Sequence, residues 1–96
     1  MGCLALDLDV PILLTHRAAR MMDAGRHVPA EAAMAKLFAS EAAMWCTWAA
    51  VQNLGGWGYS REYPVEKWMR DAKLEEIEEG TSDIQRLIVS RRLLAR

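Results

Sequence analysis

The residues from Pro29 to Leu54 constrain the fold most. This stretch has no internal proline or glycine and is crowded with alanine: Ala30, Ala32, Ala33, Ala35, Ala39, Ala42, Ala43, Ala49 and Ala50. Alanine has the highest intrinsic helix propensity, so the segment reads as one long helix. Its small side chains fall on several faces, which predicts a central helix that neighbours approach closely from more than one direction. Breaks flank it and recur beyond it: Gly25, Arg26, His27 and Pro29, then Gly55, Gly56 and Gly58, then Gly80, Thr81 and Ser82. Between them no run of β-branched residues alternates as a strand would.

Three more helices follow from this punctuation. The first is expected from about residue 9 to residue 24, with Pro11 accommodated in its first turn. Another follows Pro64 and places Val65, Trp68 and Met69 on one side. The last begins near Ser82, with Ile84, Leu87, Ile88 and Leu94 as its apolar stripe; Arg91 falls inside that stripe, a local conflict. Four helices with short connections predict an all-α fold, an antiparallel four-helix bundle.

At 96 residues the chain is one domain, with 52% hydrophobic and 26% charged residues. A domain of this size buries only roughly 60–65% of its unfolded surface, so self-association would help it. Twelve basic and thirteen acidic residues leave a net charge of −1, which gives no electrostatic footing for nucleic acid. Cys3 and Cys46 lack metal-ligand spacing and read as free thiols. The apolar stretch over 4–14 holds Asp7, Asp9 and Pro11 and is too short to span a bilayer, so no membrane segment is expected and a cytoplasmic location is.

Two stretches bear chemistry. In Glu79-Gly80-Thr81-Ser82-Asp83-Ile84-Gln85, Ser82 and Gln85 match a capping box, and Asp83 suits the positive end of a helix dipole. Glu79 stands just outside that helix start beside a glycine, where a carboxylate can act as a base toward a carbonyl ligand. In Gln52-Asn53-Leu54-Gly55-Gly56-Trp57-Gly58-Tyr59, the glycines read as a helix stop and tight turn, with backbone amides open to a phosphate.

Taken with Glu62-Tyr63-Pro64-Val65-Glu66-Lys67, Met69-Arg70-Asp71-Ala72-Lys73-Leu74 and the earlier run Ala32-Ala33-Met34-Ala35-Lys36-Leu37, these stretches resemble the C-terminal domain of the FAD-dependent acyl-CoA dehydrogenase family, from about Leu13 to Leu94. The resemblance implies oxidation of the Cα–Cβ bond of an acyl-CoA thioester. Glu79 would remove the α-proton as a hydride leaves the β-carbon for the flavin. Gly80 would make room for the substrate's thioester carbonyl. Thr81 and Asp83 fall where the family contacts FAD. Gln52, Asn53, Leu54, Gly55 and Gly56 fall where it meets the cofactor's adenosine-pyrophosphate portion, commonly in a neighbouring subunit, which implies a homo-oligomer. The electron acceptor common in the family is an electron-transfer flavoprotein.

The 96 residues do not include the family's N-terminal helical domain, its middle β-domain or the first helix of its C-terminal domain. A partner chain supplying these is therefore expected for activity, with no independent turnover. The alternative expectation is a non-catalytic, self-associating helical module. Glu78, where many members carry Tyr or Gly, sets two carboxylates side by side and is expected to point to solvent. Trp45 and Trp48, one helical turn apart, are expected to form a shared apolar patch. Thr15, His16 and His27 read as surface or capping residues.

Overall fold

The computed structural model describes residues 2–95, with side chains from residue 5 onward; the side chain of Cys3 lies outside the described residues. Five helices follow one another: α1 (Gly2–Asp23), α2 (Pro29–Leu54), α3 (Gly56–Tyr59), α4 (Val65–Ile77) and α5 (Ser82–Leu94). No strand occurs among the described residues. The all-helical expectation with four long helices holds, and the tight turn expected after Leu54 adds the single-turn helix α3.

Two boundaries differ from expectation. α1 begins well before residue 9, so Pro11 lies inside it rather than in its first turn. Proline removes the N–H that would bond the carbonyl four residues earlier, yet the helix continues, with Pro11 buried and the Thr15 hydroxyl donating to the Pro11 carbonyl at 2.8 Å. α1 stops at a Schellman motif. Gly25 adopts φ +80°, its N–H donates to the Met22 carbonyl, and the Arg26 N–H reaches back to Met21.

α2 is the hub. α1, α4 and α5 each pack chiefly on it, and α3 joins both α2 and α4. At about 100° per residue, the buried positions of α2 fall on two nearly opposite faces, Ala30, Ala33 and Ser40 on one and Glu31, Ala35 and Ala42 on the other. Small side chains on both let neighbouring backbones close in from either side.

The same packing leaves little interior. Buried apolar residues are alanines and two valines, Val28 and Val65, and no large side chain among the described residues is fully enclosed. The accessible surface is 7024 Å², against about 5,500 Å² for a compact monomer of this mass. The radius of gyration is 15.6 Å, against about 12.5 Å for a compact domain of this length. Leu6, Leu13, Trp45, Trp48, Trp57, Trp68, Ile77 and Leu94 are all exposed. A surface this apolar is built to be covered.

α5 resolves the Arg91 conflict. Gln85 is buried and Ile88 and Val89 are half-buried, while Arg92 approaches the buried Glu31 at 3.9 Å. Positions 85, 88, 89 and 92 therefore form the inner face. Of the expected stripe, Ile84, Leu87 and Leu94 lie outside with Arg91, which is solvated, and Ile88 alone turns toward the inner face. α4 is rotated likewise, with Val65 and Ala72 buried and Trp68 exposed. No described helix is long and apolar enough to cross a membrane. Cys46 is a half-buried free thiol whose pKa is raised by desolvation and by the nearby Asp7 carboxylate.

Candidate functional site

The α4–α5 connection presents Glu79 from an unusual backbone. Glu79 has φ +54° and is the one non-glycine residue with positive φ among those described; Gly80 follows at +98°. A side-chain-bearing residue in the left-handed region costs on the order of 1–2 kcal/mol, so something must hold this turn. Two donors do. The Lys36 ammonium, from α2, donates to the Gly80 carbonyl at 2.7 Å. The buried Gln85 amide donates to the same carbonyl at 3.3 Å and to the Glu79 carbonyl at 3.4 Å. A Cβ on Gly80 would sit 2.5 Å from the Gln85 amide nitrogen, so the Gln85 side chain would have to move from its place against the turn.

The capping differs from expectation by one residue. Thr81, not Ser82, is the N-cap of α5, and its hydroxyl accepts from the Ile84 N–H at 3.4 Å. Ser82 is the first helical residue, and its buried hydroxyl has no partner among the described residues. Gln85 is therefore one position too far along to complete the box, and its side chain turns back to the two loop carbonyls.

Glu79 is exposed, and its carboxylate makes no ion pair or hydrogen bond with any described residue. Beside it, Glu78 points to solvent as expected. Its pKa is raised by the Glu75 carboxylate, with which it shares a hydrogen bond, by slight desolvation and by Glu79; Lys36 opposes the rise. Asp83 is exposed and paired with Arg86 at 3.3 Å, and Arg86 also binds Glu41 on α2. Thr81 and Asp83 thus lie together with Glu79 and Gly80 at the mouth of α5.

The other candidate stretch lies elsewhere. Gln52, Asn53 and Leu54 end α2, Gly55 caps it and Gly56 opens α3, all exposed. Gly55 takes φ +62° and its N–H donates to the Gln52 carbonyl at 3.2 Å. Nothing lies within 4 Å of where a Cβ on Gly55 or Gly56 would be, whereas Gly58 is buried against the Val51 carbonyl. Measured along α2 at about 1.5 Å per residue, this turn is about 27 Å beyond Lys36. The two candidate stretches therefore lie apart and do not line one pocket.

Sequence reasoning named Glu79, Gly80, Thr81 and Asp83 but gave no role to Lys36. A cationic side chain set half-buried among the alanines of a central helix requires an acceptor, and that was the available signal. Trp45 and Trp48 do form one patch, stacked with ring centroids 5.0 Å apart and planes 18° from parallel. A cleft of about 500 Å³, lined by Arg17, Arg20, Arg26, Glu31 and Arg92, lies away from both stretches.

The all-helical fold around α2 is that of the acyl-CoA dehydrogenase C-terminal domain. The family model described as "Acyl-CoA dehydrogenase, C-terminal domain" matches residues 1–94, and the chain belongs to that family. It is 54% identical over 91 residues to the mitochondrial short-chain specific acyl-CoA dehydrogenase of Bos taurus, covering 95% of this chain and 22% of that protein. Butyryl-CoA dehydrogenase from Megasphaera elsdenii superposes with a TM-score of 0.91 at 41% identity, over 94% of this chain and 24% of that one. A chain from a structure of the electron transferring flavoprotein of Acidaminococcus fermentans superposes at 0.96 with 42% identity, over all of this chain and 25% of that one. The chain thus spans about a quarter of the length of its relatives.

Proposed function

We propose that this chain supplies the C-terminal part of an acyl-CoA dehydrogenase site, in which Glu79 is the base. The observation that carries the reading is the exposed, unpaired Glu79 carboxylate, held out from the mouth of α5 by a turn fixed from behind. A thioester α-proton is weakly acidic, so its base must be aimed at it and walled off from water. This chain provides the aim; the wall belongs to domains outside these 96 residues. Bound FAD would accept the hydride that leaves the β-carbon as the α-proton is taken.

The residues present suit the polar parts of that cofactor. The Thr81 hydroxyl accepts from Ile84 and keeps its own proton to donate, beside the first N–H groups of α5. The Gln52 and Asn53 side chains engage no other described residue, and the open space at Gly55 and Gly56 lets a phosphate approach backbone. With about 27 Å of helix between the two half-sites, each cofactor would meet the α5 mouth of one copy and the glycine turn of another. A homo-oligomer is then part of the site. The electron acceptor we assign is an electron-transferring flavoprotein, supported by the structure in which the superposable Acidaminococcus chain occurs.

Mixed with FAD and a short-chain acyl-CoA, the lone chain should leave the flavin spectrum unchanged. Adding a chain that provides the family's other domains should bleach it. With Glu79→Gln the bleaching should vanish while FAD stays bound; bleaching that survives this substitution overturns the assignment. The exposed apolar surface also favours a second reading, a self-associating helical module without catalysis. A monodisperse monomer by light scattering at micromolar concentration would remove it.

A further inference from the structure

We infer that Lys36 is a positioning residue, whose ammonium, together with the buried Gln85 amide, holds the Glu79–Gly80 turn in its left-handed form and so sets where the Glu79 carboxylate points. The turn is anchored through carbonyls alone. Gly80 offers one oxygen to two donors from two different helices, and Glu79 offers its own oxygen to Gln85. Both carbonyls are drawn inward toward α2 and α5, and the Glu79 side chain, on the Cα just before them at φ +54°, is exposed on the outside of the turn. The fit is tight, since a Cβ on Gly80 would displace the Gln85 amide.

Lys36 does what a neutral residue there would not. Its charge strengthens the bond to the carbonyl. It also lies close enough to Glu78 to oppose the repulsion that Glu75 and Glu79 exert on that carboxylate. Without it, that repulsion and the left-handed backbone act in the same direction, toward opening the turn. The catalytic consequence rests on the reading of Glu79 as the base; the clamp itself does not.

The test compares Lys36→Met with Lys36→Arg in the 96-residue chain, followed by NMR. The φ-sensitive couplings of Glu79 and the carbonyl shift of Gly80 report the turn, and the Glu78 carboxyl titration reports the nearby charge. Lys36→Met should lose the positive-φ signature and move the Glu78 titration upward. Lys36→Arg should restore both. In the completed enzyme, Lys36→Met should lower kcat by about 10²-fold, the scale expected when a reacting group is misplaced by an ångström, with KM unchanged. Should the methionine variant not fold, Lys36→Gln carries the same comparison. A wild-type turn signature in the folded neutral variant overturns the inference. A clamp intact by NMR beside an active Glu79→Gln enzyme would overturn the base and leave the clamp standing.

Discussion

The two turns that bear the candidate residues are held in opposite ways. The Glu79–Gly80 turn is anchored from two helices, tolerates a left-handed glutamate and has the Gln85 amide packed where a Cβ on its glycine would lie. The Gln52–Gly56 turn ends α2 with backbone hydrogen bonds alone, from the Gly55 N–H to the Gln52 carbonyl and from the Gly58 and Tyr59 N–H groups to the Gly55 carbonyl, and with free side chains and open space at Gly55 and Gly56. One half-site is organised by the chain itself, as a group that must aim at a reacting atom needs to be. The other is left for something outside the chain to complete, which suits a contact that reaches a cofactor bound elsewhere.

Chemistry should expose this contrast most strongly. In the completed enzyme Glu79→Gln should reduce the rate of flavin reduction by about 10²–10⁴-fold, the usual range for losing a positioned base. Gln52→Ala should weaken FAD binding and leave the rate at saturating cofactor near wild type. Stopped-flow reduction across a range of FAD concentrations separates the two. Equal effects on both parameters would break the distinction between the turns.

Association should come next. About half of each indole of Trp45 and Trp48 is exposed. Covering about 100 Å² of each would contribute about 2–3 kcal/mol per ring. Replacing both with alanine should raise the self-dissociation constant by about 10²-fold or more in sedimentation velocity. The Glu79–Gly80 NMR signature should not change. Loss of that signature with the dimer would mean the clamped turn also depends on a neighbour.

Folding stability offers a smaller contrast. Gly80→Ala adds left-handed strain and drives a methyl into the Gln85 amide, a combined loss of about 2–4 kcal/mol. Gly55→Ala meets no neighbour and carries only the backbone strain of φ +62° with ψ −135°, about 1–3 kcal/mol. Urea midpoints at a common slope measure both. A Gly55→Ala loss as large as that of Gly80→Ala would show that the bare turn is held by contacts not seen here.

How much of this could be read from sequence depended on how local the cause was. The hub role of α2 followed from alanines on several of its faces, and the ends of α2, α4 and α5 lay close to where Gly55, Pro64 and Ser82 placed them. Inner and outer faces were harder. On α5 the most apolar stripe was chosen as the inner one, yet Ile84, Leu87 and Leu94 face outward while Gln85 is buried. Periodicity identifies an apolar face but not which side of the helix packs inward, and this chain leaves many large apolar side chains exposed. The Glu79 turn was legible as a place and not as a geometry. Its left-handed φ depends on Lys36, 43 residues away, and on a glutamine that fit a capping box equally well.

The smallest effect concerns Glu78, which lies beside the clamp without belonging to it. Repulsion from Glu75, reinforced by their shared hydrogen bond and by Glu79, raises its pKa in the folded chain. A group with a raised folded pKa binds its proton more tightly in the native state than in the unfolded one. Its contribution is therefore fully present below the ordinary carboxylate range and is lost as pH rises through the folded value. Glu78→Gln removes that titration. The substitution should leave thermal stability nearly unchanged at acid pH and should raise the Tm slightly at neutral pH. Scans at pH 4 and pH 7 distinguish the cases, and the gain should shrink in salt, because every carboxylate involved faces water. A gain that is equal at both pH values would place its origin outside this cluster, and the opposition of Lys36 to the raised Glu78 would then have no measurable weight in holding the turn.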